Sequence, residues 1–132
     1  MNKPRTYRQN ARKDYLRLAK SRRLSASKRR QGIRKQLGYL RRNLSHIESL
    51  KQFVPLSVLK SKQYHELLVI HVLYRQQQEM YDNRSHRIDD RIVSISQPYI
   101  RPIVRGKVKS PTEFGAKISA SVSIDICSTP LA

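Results

Sequence analysis

The front of the chain is so strongly cationic that only a narrow apolar edge remains for building a core. Residues 1–51 hold 17 Lys and Arg against two acidic residues, a net charge of +15, whereas residues 52–132 hold 11 against seven, a net charge of +4. A chain of 132 residues has room for one modest core at most. The formal charge of +19 needs anionic partners or counterions, so nucleic acid is the leading candidate partner.

The spacing of apolar residues predicts that this front is helical. Between residues 8 and 23, apolar side chains recur at helical spacing, with Asn10 as the candidate N-cap. Serines between residues 21 and 27 favour a break, after which Ser25 or Ser27 can cap a second helix over about residues 27–51. The two helices together have a helix-turn-helix outline.

A heptad-like apolar seam runs along the predicted second helix. Its residues are spaced alternately four and three apart: Ile33, Leu37, Leu40, Leu44 and Ile47. So short a seam does not establish a coiled coil. We therefore expect it to pack against a neighbouring helix of the same chain, with self-pairing between chains as the alternative.

The middle of the chain predicts a third helix. Pro55 interrupts the second helical pattern, and a new apolar run predicts a helix from about Ser61 to Asp82. Its first half, rich in Leu and Val, is expected to be buried. Its second half passes through Gln76–Gln78 and is polar on most faces, so it is expected to leave the core.

The last third of the chain shows β-strand patterns. Ile92–Ser96 form a β-rich run that ends before Pro98, and Ile103–Val104 are expected to extend the pairing. Residues 117–125 alternate polar and apolar side chains, which predicts a strand with one buried and one exposed face. Loop chemistry at residues 106–111 favours antiparallel pairing of the two strand regions.

Pairs of cations recur along the predicted helices, around the seam, where they can follow a phosphate backbone. A solvated charged surface is the alternative, but so large a charge imbalance favours contact with a polyanion. Candidates for reading base edges are Gln9, Asn10, Gln31 and Gln36, although their pattern defines no base sequence. The predicted nucleic-acid-binding residues are Arg22, Arg23, Lys28, Arg29, Arg30, Arg34, Lys35, Arg41, Arg42, Arg101, Arg105 and Lys107.

The sequence lacks the motifs of the common enzyme classes. It contains no glycine-rich phosphate loop, nucleophile elbow or kinase signature, and its four histidines match no zinc spacing. Asp90, beside Asp89 and just before the predicted strand at Ile92, is the one candidate for a catalytic carboxylate that holds a divalent cation. Capping of a turn is the alternative role for this pair. The residue pattern assigns no set of metal ligands.

The sequence also bears on location. Cys127 is the only cysteine, which fits a reducing compartment. The first residues form no signal-peptide pattern, and no apolar run reaches the length of a membrane span. We therefore expect a cytoplasmic protein with no membrane partner.

Several runs of the sequence resemble one known protein group. Residues 73–84 (LYRQQQEMYDNR), 91–98 (RIVSISQP) and 101–107 (RPIVRGK) resemble bacterial insertion-sequence transposases of the DDE superfamily. Residues 113–118 (EFGAKI) continue the likeness. Three short runs nearer the front, at residues 5–8, 11–15 and 34–39, are similar to the helical region that precedes these segments in the same transposases. The resemblance extends over about residues 3–124.

This resemblance implies an α+β fold: a basic helical N-terminal region followed by a small antiparallel β-sheet, the incomplete start of an RNase H-like domain. It divides the chain into a basic helical DNA-binding region at residues 1–54, a helical connector at 55–90 and a truncated start of the catalytic domain at 91–132. In complete relatives, acidic residues hold Mg²⁺ for DNA cleavage and strand transfer during transposition.

Two departures from the family pattern affect the expected activity. The superfamily has an acid on its first catalytic strand, where this chain has Ser94 and Ser96, so Asp90 is left as a substitute. The chain also diverges near Asp125 and stops before the later acids. We therefore expect a truncated transposase, a fragment of a mobile element, that binds DNA, needs no cofactor of its own and cannot cut or join DNA alone.

Two further expectations concern partners. The chain could self-associate through the apolar helix seam or through an exposed sheet face. A small basic RNA-binding or ribosome-associated protein is the alternative function, because the same composition would serve it equally well.

Overall fold

A computed structural model describes residues 2–104 and 112–116. In this part of the chain, three helices precede a two-stranded antiparallel sheet, which confirms the α+β prediction. The elements are α1 (Arg8–Ala19), α2 (Ala26–Lys51), α3 (Ser61–Asp82), β1 (Ile100–Val104) and β2 (Thr112–Ala116). One turn of 3₁₀-helix at Leu56–Val58 follows Pro55 and leads into α3.

The ends of the front helices follow from local chemistry. Ser25 caps α2, because its side-chain oxygen accepts a hydrogen bond of 3.3 Å from the backbone N–H of Lys28. The prediction that Asn10 caps α1 is wrong. Asn10 lies within the first turn, and α1 begins after Tyr7, which adopts left-handed backbone angles and makes no side-chain capping bond.

Helices α1 and α2 pack at close range, and Gly32 of α2 makes this approach possible. A Cβ added at Gly32 would collide with the Leu18 side chain of α1. Two polar bonds join the same helices: Gln36 donates to the carbonyl oxygen of Ala11 at 3.0 Å, and the Tyr39 hydroxyl donates to Asp14 at 2.9 Å. Of the α2 seam, Leu37 and Leu44 are buried within the chain, whereas Ile33 is 39% exposed, so the expected packing is observed for only part of the seam.

Helix α3 matches its prediction only in part. Val69 of the first half is buried, at 7% exposed, but Leu68 and Val72 beside it are 47% and 42% exposed. Met80 of the second half, expected to leave the core, is 6% exposed. The reason is that the chain after α3 folds back over the second half. There the Gln76 side chain donates to the carbonyl of Asp90 at 3.1 Å and accepts from the N–H of Ile92 at 2.9 Å.

The strand predicted at Ile92–Ser96 is also wrong, because the first strand begins at Ile100. The N–H of Ile92 is used by Gln76 instead of a strand partner. Ser94 bonds Ser96 at 3.2 Å and accepts from the N–H of Gln97 at 3.3 Å, which closes a local turn.

Strands β1 and β2 do pair antiparallel, with Ile100 opposite Ala116 and Val104 opposite Thr112. The pairing therefore has the expected direction, but it joins residues 100–104 to 112–116, and the second strand lies earlier in the chain than the one predicted at 117–125. The loop predicted at residues 106–111 and the strand predicted at 117–125 both lie outside the described residues.

The core is thin. The buried apolar side chains in the described residues are Leu37, Leu44, Val69, Met80 and Ile92, and none of them is fully enclosed. They come from α2, α3 and the segment that folds back on α3. This arrangement fixes α2 between α1 and α3 and leaves its remaining side to solvent.

Candidate nucleic-acid interface

The free side of α2 carries a row of cations, here called the cation strip. Residues spaced three, four or seven apart share a helix face, and this spacing places the strip on the side away from the buried seam. Every member is exposed to solvent. The cation strip consists of Lys28, Arg34, Lys35, Arg41 and Arg42.

The strip cations have no acidic partners in the part of the chain that the structure describes, where the few ion pairs lie elsewhere. Arg42 lies over the ring of Tyr7, 4.5 Å from its centroid, and this contact leaves its charge uncompensated. Lys28 and Arg42 are 14 residues apart, so the strip is about 21 Å long at 1.5 Å per helical residue. B-DNA of that length carries about 12 phosphates.

The turn before α2 extends this surface. Arg22 and Arg23 are exposed between the two front helices. Beside the turn, Arg17 and Asp14 of α1 line a shallow groove with Lys28 and Lys35 of α2, and Arg17 pairs with Asp14 at 3.9 Å. The predicted cations of the front therefore surround the α1–α2 turn and continue along α2.

Other predicted cations lie apart from the strip. Arg30 points towards α3, where its guanidinium covers the Tyr81 ring at 3.9 Å and donates to the Tyr81 carbonyl at 2.9 Å. Arg29 is exposed on the same side. Arg101 lies in β1, bonded to the carbonyl of Pro98. Arg105 and Lys107 lie outside the described residues.

The candidates for base contact are also separated by the fold. Gln31 is exposed within the strip and lines a groove with Arg34 and Lys35. Gln36 is held by its bond to Ala11 between α1 and α2. Gln9 and Asn10 are exposed in the first turn of α1. Of the glutamines on α2, only Gln31 therefore stands on the cationic surface.

The bond between Tyr39 and Asp14 has an electrostatic consequence. The hydrogen bond to the Asp14 carboxylate, partial burial and the negative charge of Asp14 raise the pKa of Tyr39 above its ordinary value of 10.0, while nearby Arg42 lowers it. The phenol thus stays protonated and keeps donating to Asp14, which anchors α1 beside the strip.

In the described part of the chain, Asp90, the predicted catalytic residue, is not part of a group of metal-binding side chains. Its side chain is 89% exposed, and its charged neighbour is Arg101, at 4.0 Å. Its φ of 51° and its position in a turn match the alternative role at a turn. Among the side chains that the structure describes, no three of His, Cys, Asp or Glu come together. These described side chains alone do not form a two-metal centre, which needs several carboxylates.

A second group of cations was missed by the sequence patterns. Arg84, His86 and Arg91 lie on the segment after α3 and share a cavity with Arg29 and Arg30 of α2. The cluster depends on contacts between residues far apart in the chain, so helical periodicity could not reveal it.

The end of α3 positions Arg84. The N–H of Arg84 bonds the carbonyl of Tyr81 at 3.4 Å, and the N–H of Ser85 bonds that of Met80 at 3.0 Å. These bonds form a Schellman motif, in which the left-handed position usually belongs to glycine. Arg84 occupies it with φ of 51°, at a cost of about 1–2 kcal/mol.

Comparison of the chain with protein-family models, curated proteins and solved structures finds no match. Within the described residues, no helix has the length and apolar character needed to cross a membrane.

Proposed function

We propose that the chain binds duplex DNA through the cation strip and the turn before it, as the helical region of a DDE-superfamily transposase. The observation that supports the proposal best is the cation strip, whose exposed cations repeat along one helix and have no ion pair among the described residues. A duplex offers phosphates at regular intervals over the same length.

Binding by this surface is mainly electrostatic. Each Lys or Arg that neutralises a phosphate releases condensed counterions, so the affinity depends steeply on salt and little on base sequence. Gln31 is the side chain on the strip that could add a base contact. Helices α1 and α2 and the turn between them have a helix-turn-helix outline, and helix-turn-helix proteins approach DNA through such a pair of helices.

The link to transposition is supported by the sequence resemblance described above. DNA cleavage and strand transfer with Mg²⁺ are proposed for complete relatives, and the described residues of this chain contribute DNA binding. The proposed place of action is the bacterial cytoplasm, where the DNA partner is found.

A competition assay tests the choice between DNA and RNA. The chain is bound to a labelled duplex long enough to span the strip, and unlabelled duplex DNA or a structured RNA of equal charge is added. We expect duplex DNA to displace the label at lower concentration. Displacement at lower concentration by RNA would contradict the proposal and favour the RNA-binding alternative, since A-form RNA presents a different groove shape.

A further inference from the structure

We propose a second anion-binding site, a phosphate pocket between α2, α3 and the segment after α3. Its cationic lining consists of Arg29, Arg30, Arg84, His86 and Arg91. The site is separate from the cation strip and goes beyond the function proposed for that surface. Its ligand is a phosphate group, whether free, at the end of a nucleic acid or within a backbone.

The shape of the site is the first observation. The cavity has a volume of about 340 Å³, within the usual range for small-ligand sites. Ile33 and Met80 give it an apolar wall, and its polar groups come from two stretches of chain that meet only in the fold. The strip, by contrast, is a convex helix face. A cavity can surround one phosphate group, whereas a convex face contacts a row of them.

The charge of the lining is the second observation. Four arginines and a histidine meet around one cavity, and its described lining contains no carboxylate. Like charges gathered around a partly enclosed space repel one another unless an anion lies between them. Arginine forks also match the oxygens of phosphate, to which they donate paired hydrogen bonds.

The third observation is an unused donor. The Nε of Arg91 is buried and has no hydrogen-bond partner among the described residues, while one terminal nitrogen of its guanidinium lies 3.5 Å from the carbonyl oxygen of His86. A buried donor without a partner is rare in folded proteins and calls for a ligand or a water molecule. The same side chain lines the cavity.

Arg84 supplies the fourth observation. It holds a left-handed position where glycine is the usual residue, and its side chain lines the cavity. Glycine would relieve the backbone strain but remove the guanidinium. A variant can therefore separate a role in binding from a role in folding.

Titration calorimetry with sodium pyrophosphate tests the pocket on the full chain. Because a charge-assisted hydrogen bond is at stake, Arg84→Gly should weaken pyrophosphate binding about tenfold or more while keeping or raising the melting temperature. Arg29→Gln, on the opposite wall, should weaken it similarly. The matched controls Arg87→Gln, exposed nearby but outside the lining, and Arg34→Gln, on the strip, should change it less than about twofold.

Equal losses in the lining variants and the controls would overturn the pocket, as would absence of pyrophosphate binding by the native chain. Duplexes with and without a 5′-phosphate then identify the source of the phosphate. A preference for the phosphorylated end that is lost in Arg84→Gly assigns the pocket to terminal phosphates, and equal weakening of both duplexes assigns it to the backbone. If Arg84→Gly loses pyrophosphate binding but binds both duplexes as the native chain does, the ligand of the pocket is a free anion. Because Arg34→Gln affects the strip and not the pocket, failure of one proposal leaves the other measurable.

Discussion

Both sides of α2 carry cationic residues, but those on one side are free in solvent and Arg30 on the other contacts α3. On the solvent side, Arg34 and Lys35 are exposed and have no ion-pair partner in the described part of the chain. On the α3 side, Arg30 is fixed against the ring and the carbonyl of Tyr81. This cation contributes to the fold, because one of its guanidinium nitrogens already donates to the Tyr81 carbonyl. The free cations keep their donors for an external anion, so the location of an arginine matters more than its presence in a cationic run.

The largest expected effect tests whether α3 packs against the rest of the chain through Met80 rather than through Leu68. Met80→Asp places a charge at a buried position and should lower the free energy of unfolding by about 3–5 kcal/mol. Leu68→Asp, at an exposed position in the first half of the same helix, should cost about 1 kcal/mol or less. Urea denaturation followed by circular dichroism measures both. Equal losses would show that the two halves of α3 are buried alike.

A smaller effect separates the fixed cation from a free one. Arg30→Ala removes a hydrogen bond to a carbonyl and a cation–π contact, and should cost about 1–3 kcal/mol. Arg34→Ala should change the stability by about 0.5 kcal/mol or less. Thermal melting measures the stability of both variants, and because each loses one arginine, their net charges are equal. A greater loss in Arg34→Ala would reverse the assignment of the two sides.

The two glycines of α2 provide a finer test of the α1 contact. Gly38→Ala meets open space and should stabilise the chain by about 0.5–1 kcal/mol, since alanine favours helix. Gly32→Ala gains the same propensity but displaces Leu18, so we expect no gain or a net loss. Chemical denaturation measures the difference in the free energy of unfolding between the two variants. An equal gain at both positions would mean that the close approach of α1 to α2 is absent.

The smallest effect concerns the pH dependence of the α1–α2 contact. Since the pKa of Tyr39 is raised in the folded chain, its contribution to stability is present below pH 10.0 and is lost as the pH rises through the raised pKa. Asp14→Asn should bring the pKa of Tyr39 back towards its ordinary value. Ultraviolet titration of tyrosinate, with Tyr39→Phe to identify the signal, measures the shift. An unchanged titration in Asp14→Asn would contradict the bond between the two side chains.

Local patterns predicted most of the helical framework, because helix periodicity and capping act over a few residues. The span of α3 was predicted from such patterns, and Ser25, which caps α2, was one of the two candidate caps. The strand at Ile92 was wrong for a non-local reason: a β-rich run cannot show that Gln76, 16 residues earlier, engages its backbone.

The candidate binding residues also divide into those that local patterns indicate and those that only the fold brings together. The strip lies on consecutive turns of one helix, so its cations could be predicted as a set. The contact between Arg30 and Tyr81 joins residues 51 apart, and no periodic pattern in the sequence indicates it. The pocket residues Arg84 and Arg91 were missed for the same reason, because only the fold brings them beside α2.

The most direct test of the proposed function is the salt dependence of duplex binding. For the native chain, the logarithm of the association constant should fall linearly with the logarithm of salt concentration, with a slope of about −0.9 per neutralised phosphate. Removing three strip cations in Arg34→Ala/Lys35→Ala/Arg41→Ala should make this slope shallower by up to about 2.7. The control Lys62→Ala/Arg75→Ala/Arg87→Ala removes equal charge from exposed positions outside the strip and should leave the slope nearly unchanged. Equal slopes for the two triple variants would contradict binding through the cation strip.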